Sequence, residues 1–175
     1  MEVYLIRHTS VDVPKGTCYG FTDVPLSDTF ETEATITRQQ LDGLVFDSVY
    51  SSPLSRATRL ASFCGFPNAN CDDRLKEMNM GEWEMQLFDD ITDERLQLWY
   101  NDFLNQPTTG GESFSDVYCR VASFLEELRK KDFQKVAIFA HGGVLICAQV
   151  FAGIVPIEEG FSNLTPYGGI VKIEI

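Results

Sequence analysis

Short runs rich in Val, Ile and aromatic residues, each bounded by turn residues, occur at Glu2 to Arg7, Asp47 to Ser51, Lys135 to Ala140 and Ile170 to Ile175, and they predict four strands. Between them the apolar spacing changes. Phe114, Val117, Tyr118, Val121, Phe124, Leu125 and Leu128 recur with a period near 3.6, which predicts a helix over Ser113 to Lys131 with Ser113 and Asp116 as a capping pair. Pro53 to Cys64 reads as a second helix, with Ser52 as N-cap, Pro53 in the first position and Gly65 as the stop. Val144 to Gly153 and Leu87 to Phe103 add two more, and Thr32 to Leu44 a further one diluted by three threonines. Strands alternating with helices predict a layered α/β fold. The least regular stretches, Ser10 to Ser27 and Asn105 to Gly111, are the expected site loops.

Composition narrows what such a fold can do. With 175 residues, 44% of them hydrophobic, the chain can build one sizeable core, so a single domain over 1–175 is expected. Its longest apolar stretches fall short of a membrane span, and Met1 leads into a strand without a cationic leader; a cytoplasmic protein with no membrane partner is the expectation. Five scattered cysteines without CxxC spacing suggest neither a disulfide framework nor a thiolate metal site. A net charge of -12 argues against a nucleic-acid partner. Arg129, Lys130 and Lys131 form the one cationic run, where they would complement the end of a helix. In so acidic a chain, any site for an anionic substrate needs arginines concentrated at one point.

The chemistry-bearing residues collect at strand ends. The chain has two histidines, and both His8 and His141 directly follow an expected strand. In open α/β sheets ligands gather outside the carboxyl ends of the strands, so the two can meet in space. Ser51 and Ser52 end a third strand, and Arg56 follows in the first turn of the next helix, where free N–H groups favour an anion. Gly142 and Gly143 give the helix after His141 an unobstructed start, so two helix starts and two arginines are expected to converge on one phosphate.

Leu5-Ile6-Arg7-His8, Ser51-Ser52-Pro53-Leu54-Ser55-Arg56-Ala57, Leu75 to Glu84, Gly111-Glu112-Ser113 and Ala140-His141-Gly142-Gly143, in this order, resemble the histidine phosphatase superfamily. The resemblance implies a three-layer α/β/α sandwich with a mostly parallel central sheet, of the phosphoglycerate mutase type. It further implies that His8 attacks phosphorus to form a phosphohistidine, that Arg7, Arg56 and His141 hold the phosphate oxygens, and that Glu77 protonates the leaving oxygen and then activates water. Glu82 and Glu84 lie close by in sequence, and Glu77 is preferred on motif position; it is expected to act as an acid only when substrate is present. Gly20, Thr22 and Gly142 are implied as further phosphate contacts. No cofactor is implied, and the lack of HxxxH or HExxH spacing gives no reason to assign a metal.

The loop Gly16-Thr17-Cys18-Tyr19-Gly20-Phe21-Thr22-Asp23-Val24-Pro25-Leu26-Ser27 resembles that of alpha-ribazole phosphatases, which implies alpha-ribazole 5'-phosphate as the small phosphorylated metabolite bound. Lys76 and Met85 stand where arginine and glycine are frequent in the family, and a glycine usual after Leu26-Ser27 is missing. A phosphoglycerate mutase, a broad phosphomonoesterase and a phosphohistidine phosphatase share the nucleophile and stay open as alternatives. The 33 residues from Asn79 to Gly111 leave little material for a mutase's enclosing insertion. A phosphate-binding regulatory module would keep Arg7, Arg56 and Gly142 but lose His8 or Glu77. Glu112 and Ser113 fit a helix start as well as a site, and Trp83, Phe88, Trp99, Tyr100 and Phe103 fit core or lid packing better than base stacking.

Overall fold

The computed structural model describes residues 1–175 apart from the side chain of Asn163. Strands β1 (Glu2–Arg7), β2 (Ser48–Ser51), β3 (Asn70–Cys71), β4 (Lys135–Ala140) and β5 (Ile170–Glu174) form one sheet in the order β3-β2-β4-β1-β5. All neighbours are parallel except β5, which runs antiparallel along β1. Helices α1 (Phe30–Leu41) and α2 (Ser55–Phe63) cover one face, while α4 (Phe114–Leu128) and α5 (Gly142–Phe151) cover the other; a short α3 (Arg95–Asn101) lies in the long segment before α4. Alternation along β4 explains the layering. Val136, Ile138 and Ala140 pack with Phe114, Val121, Leu125, Leu145 and Ile146, whereas Ala137 and Phe139 pack with Ala34, Leu41, Leu60 and Ala61. A sheet apolar on both faces needs helices on both, and the three-layer sandwich follows.

Several boundaries differ from the sequence reading. Helix α2 begins at Ser55 rather than Pro53, and its N-cap is Leu54. The Ser52 hydroxyl lies 2.7 Å from His141 Nε2 and accepts from the Leu54 N–H at 3.3 Å, just before the helix. Between Leu87 and Phe103 only α3 is α-helical, preceded by a 3-10 turn at Phe88–Asp90. Asp93 breaks the expected long helix: its carboxylate accepts from the Trp83 indole at 2.7 Å and the Arg95 N–H at 2.9 Å, and also bonds the Thr109 hydroxyl. Strand β3, two exposed residues long, has no sequence signature. The capping box of α4 is present in full, with Ser113 and Asp116 bonding each other's backbone N–H.

Met85 adopts a φ of 65°. That left-handed conformation costs a side chain on the order of 1–2 kcal/mol. Met85 is 47% exposed, so little packing offsets the cost. Met85→Gly is expected to stabilise the fold by about 1 kcal/mol, less whatever the more flexible unfolded chain takes back, as read from urea midpoints at unchanged m-value.

Candidate active site

Sheet register places the first site residues. Arg7 pairs with Ala140 and Ser51 with Phe139, so the residues one step beyond, His8, His141 and Ser52, emerge side by side at the carboxyl edge. The His8 N–H donates to the Ala140 carbonyl at 3.0 Å and the Ser52 N–H to the Phe139 carbonyl at 2.8 Å, extending the ladder by one rung. The two imidazoles lie 5.2 Å apart between centroids and both are buried.

Hydrogen bonding sets each ring's tautomer. His8 Nδ1 lies 2.7 Å from the Thr9 carbonyl oxygen, which can only accept, so Nδ1 carries the proton and Nε2 keeps its lone pair. Burial above all, then the charge of Arg56 and in smaller measure that of Arg7, pushes His8 down to about 3 against the opposing Thr9 bond. The ring is therefore neutral near pH 7. His141 Nδ1 accepts from Arg56 Nε at 3.2 Å, so its proton sits on Nε2, which donates to Ser52 Oγ at 2.7 Å. Burial, then the charge of Arg56, holds His141 well below the usual histidine range. Both nitrogens of His141 are engaged within the protein, and a phosphate would gain a donor from it only by displacing one of these bonds.

The two arginines are held differently. Arg7 donates from Nη1 to the Thr165 carbonyl at 2.6 Å and stacks on the Tyr167 ring, 4.1 Å from its centroid. Its buried Nε bonds no acceptor among the described residues, which leaves a donor beside His8 for an incoming anion. Arg56 is wholly buried, and its guanidinium donates to His141 and to the carbonyls of Thr22 (2.9 Å) and Gly20 (2.5 Å). Above the arginines the hydroxyls of Tyr19 and Tyr167 meet at 2.9 Å, an arch with one ring on each guanidinium.

Glu77 reaches the site from an irregular segment after the 3-10 turn Asp73–Leu75. Its Oε2 accepts from the Gly143 N–H at the start of α5 at 3.2 Å, and its Oε1 from the Met78 N–H at 3.1 Å. A Cβ on Gly143 would stand 2.5 Å from Oε1, so this approach requires glycine. Of the three clustered acids, Glu82 is exposed and Glu84 binds four backbone N–H groups, leaving Glu77 as the one that lines the pocket.

Arg7, His8, Glu77 and Gly142 line a pocket of about 250 Å³, while Arg56 and His141 are fully buried next to them. Gly20 and Thr22 touch Arg56 through their carbonyls, their N–H groups being turned on Glu84 at 3.2 and 2.9 Å. The expected convergence of two free helix starts is modified as well. Asp23 takes the Ser55 N–H of α2 at 3.0 Å, and Glu77 takes that of Gly143. Glu112 pairs with Arg120 through both carboxylate oxygens at 2.8 and 3.0 Å, and Arg120 also donates to the carbonyls of Arg74, Lys76 and Glu77, so the pair braces the segment that carries Glu77. Phe88 and Trp99 belong to an aromatic cluster and show an edge to the pocket.

Tyr167, Phe161 and Leu164 escape the sequence reading. Tyr167 reaches Arg7 and His8 because β5 returns antiparallel along β1, bringing the turn before Ile170 to the end of β1, while Phe161 lies on a 3-10 turn (Ile157–Asn163) that packs on α5 and meets Phe103 and Phe114; no local pattern announces either contact. Among the described residues no group of three or more His, Cys, Asp or Glu is arranged to hold a metal ion, and no helix is long and apolar enough to cross a membrane.

Comparison with known proteins supplies the family. Residues 3–175 match the histidine phosphatase superfamily, branch 1. The chain is similar to phosphoserine phosphatase 1 of Hydrogenobacter thermophilus, 31% identical over 149 residues, 81% of this chain and 71% of that one. It is also similar to the adenosylcobalamin/alpha-ribazole phosphatase of Salmonella typhimurium, 30% identical over 154 residues, 83% and 76% of the two chains. The crystal structure of the alpha-ribazole phosphatase from Shigella flexneri superposes with a TM-score of 0.91 at 28% identity, covering 100% of this chain and 91% of that one. The order of the motifs, the mostly parallel sheet and the match across 3–175 agree: this chain belongs to branch 1 of the histidine phosphatase superfamily, a phosphatase family.

Proposed function

We propose that the protein hydrolyses a phosphomonoester whose leaving alcohol carries a bulky aromatic group, alpha-ribazole 5'-phosphate being the best fit, through a phosphohistidine on His8. In the first step the Nε2 lone pair of His8 forms the N–P bond, the ester P–O bond breaks and the leaving oxygen takes a proton from Glu77. In the second, Glu77 takes a proton from water, whose oxygen displaces His8 and gives inorganic phosphate. Arg7 and the remaining N–H groups of Arg56 hold the phosphate oxygens, with His141 setting the Arg56 plane.

The observation that carries the substrate reading is the pocket wall. Beyond Arg7, His8 and Glu77 it is built largely from Met78, Met80, Phe88, Trp99, Phe114, Phe161 and Leu164, and Arg7 is the sole cation among the lining residues. A flat aromatic base buries well against such a wall. Phosphoserine and 3-phosphoglycerate carry a carboxylate that would enter this wall without a cation to meet it, a desolvation cost of several kcal/mol. Relatives named for phosphoserine and for alpha-ribazole match at the same level of identity, so identity alone does not choose between them. The five free thiols are in keeping with a reducing, cytoplasmic setting.

Phosphate release from alpha-ribazole 5'-phosphate, phosphoserine and 3-phosphoglycerate, compared at matched concentrations with a chelator present, tests the reading. We expect kcat/KM for the aromatic substrate to exceed the other two by on the order of 10²-fold, the equivalent of one unpaired buried charge. Equal or reversed preference would remove alpha-ribazole phosphate while leaving the His8 chemistry to be judged on its own.

A further inference from the structure

We infer that Glu84 is a positioning residue for phosphate binding, because it folds the 20–22 loop into the cradle that aims Arg56. This rests on the reading that Arg56 binds the phosphate. Oε1 of Glu84 accepts from the N–H groups of Phe21 (2.8 Å) and Met80 (3.1 Å), and Oε2 from those of Gly20 (3.2 Å) and Thr22 (2.9 Å). Three of these N–H groups belong to the loop itself, and because the N–H and C=O of one trans peptide point opposite ways, turning the Phe21 N–H onto Glu84 points the Gly20 carbonyl away from it, where it accepts from Arg56 Nη2. The Thr22 carbonyl, on the residue whose own N–H Glu84 holds, accepts from Arg56 Nη1.

The guanidinium is thereby fixed at three of its N–H groups: two by this loop and one by His141. What remains of its fork can face only one way. The rest of the surroundings reinforces the arrangement. Gly20 lies so close to the segment before Glu84 that a Cβ would stand 1.7 Å from the Met78 carbonyl oxygen, so the loop has no slack. The bonds from Thr22, Phe21 and Met80 outweigh burial and hold Glu84 below the usual carboxylate range, keeping it ionised.

Glu84→Gln puts an amide NH2 where two N–H donors converge, so the loop must turn and release its carbonyls from Arg56. The test is a double-mutant cycle with Arg56→Lys, whose ammonium has no fork to aim. It is read by the inhibition constant of inorganic phosphate and by kcat/KM on p-nitrophenyl phosphate and on an alkyl phosphate. Alone, Glu84→Gln is expected to weaken both readouts by about 10²-fold, the scale of a misplaced binding group. In the Arg56→Lys background it should cost less than about threefold.

Equal losses in both backgrounds would overturn the inference, making Glu84 a structural carboxylate. A loss confined to the alkyl phosphate would also overturn it, since that would mark Glu84 as a proton donor. If Arg56→Lys itself changes neither readout, it is the reading of Arg56 that fails, and the inference falls with it. Should Glu84→Gln not fold, Gly20→Ala displaces the same loop from the Met78 side and is carried through the same cycle with the same expected non-additivity.

Discussion

His8→Ala is expected to lower turnover by about 10⁴-fold or more while inorganic phosphate still binds within a few-fold of wild type. The two halves of that expectation come from different residues. In the proposed mechanism turnover needs a lone pair on Nε2, which the Thr9 carbonyl would provide by fixing the proton on Nδ1. Binding needs donors, and Arg7 and Arg56 are held by Thr165, Tyr167, Gly20, Thr22 and His141, not by His8. Wild-type protein quenched during turnover of a ³²P-labelled ester should carry acid-labile, base-stable label, and His8→Ala none. Label retained in the variant, or full activity without His8, would sink the covalent mechanism.

The same substitution should alter acid stability. His8 is lowered to about 3 in the folded protein, so below pH 6.5 the unfolded chain binds a proton that the folded one does not, and stability is lost as pH falls from 6.5 towards 3. By pH 5 this amounts to about 2 kcal/mol, and His141 is shifted in the same sense. Melting temperatures between pH 7 and pH 5 should therefore fall less steeply for His8→Ala than for wild type. The carboxylates lowered by hydrogen bonds, Glu84 and Asp116 among them, begin to take up protons only below this window, so the histidine contribution is read first.

How much of this is legible in the sequence depends on the range over which each contact is made. β1 and β4 are bounded in the structure as their runs of Val, Ile and aromatics predict, because a strand buried on both faces leaves a continuous apolar run. The α4 capping box is legible for a similar reason, its partners being three residues apart. Leu87 to Phe103 misleads because Phe88, Ile91, Leu96, Trp99 and Phe103 all face the core at near-helical spacing although the backbone between them is broken at Asp93, whose partners Trp83 and Thr109 lie 10 and 16 residues away. The late start of α2 comes with a Ser52 hydroxyl shared between the Leu54 N–H and His141, the latter 89 residues distant.

The site divides along the same line. Arg7, His8, Arg56 and His141 are picked out as candidates by motif and strand-end position, and they lie together because parallel strands deliver whatever follows them to one edge. The residues that aim them are not. Glu84 acts on backbone N–H groups more than sixty residues upstream, and Tyr167 lies on a turn placed by the antiparallel return of β5. Motif position prefers Glu77, but a carboxylate that binds amides looks no different in composition from one that could move a proton, so it takes their surroundings to set Glu77, Glu82 and Glu84 apart.

For Glu77 those surroundings make a prediction whose size depends on the substrate. Glu77→Gln is expected to lower kcat on an alkyl phosphate by 10²- to 10⁴-fold, the range of a positioned acid or base. An aryl phosphate such as p-nitrophenyl phosphate leaves without needing a proton, so its first step should proceed in the variant while the second, which needs a base to activate water, stays slow. Phospho-His8 then accumulates, and a stopped-flow trace should show a burst of nitrophenol equal to the enzyme concentration followed by slow turnover. Glu82→Gln, at an exposed position, should behave as wild type on both substrates. A Glu77→Gln protein slowed equally on alkyl and aryl phosphates without a burst would mean that the carboxylate at the start of α5 supports the site but moves no proton. In that case its bond to the Gly143 N–H, not the pocket it faces, would be the reason it is there.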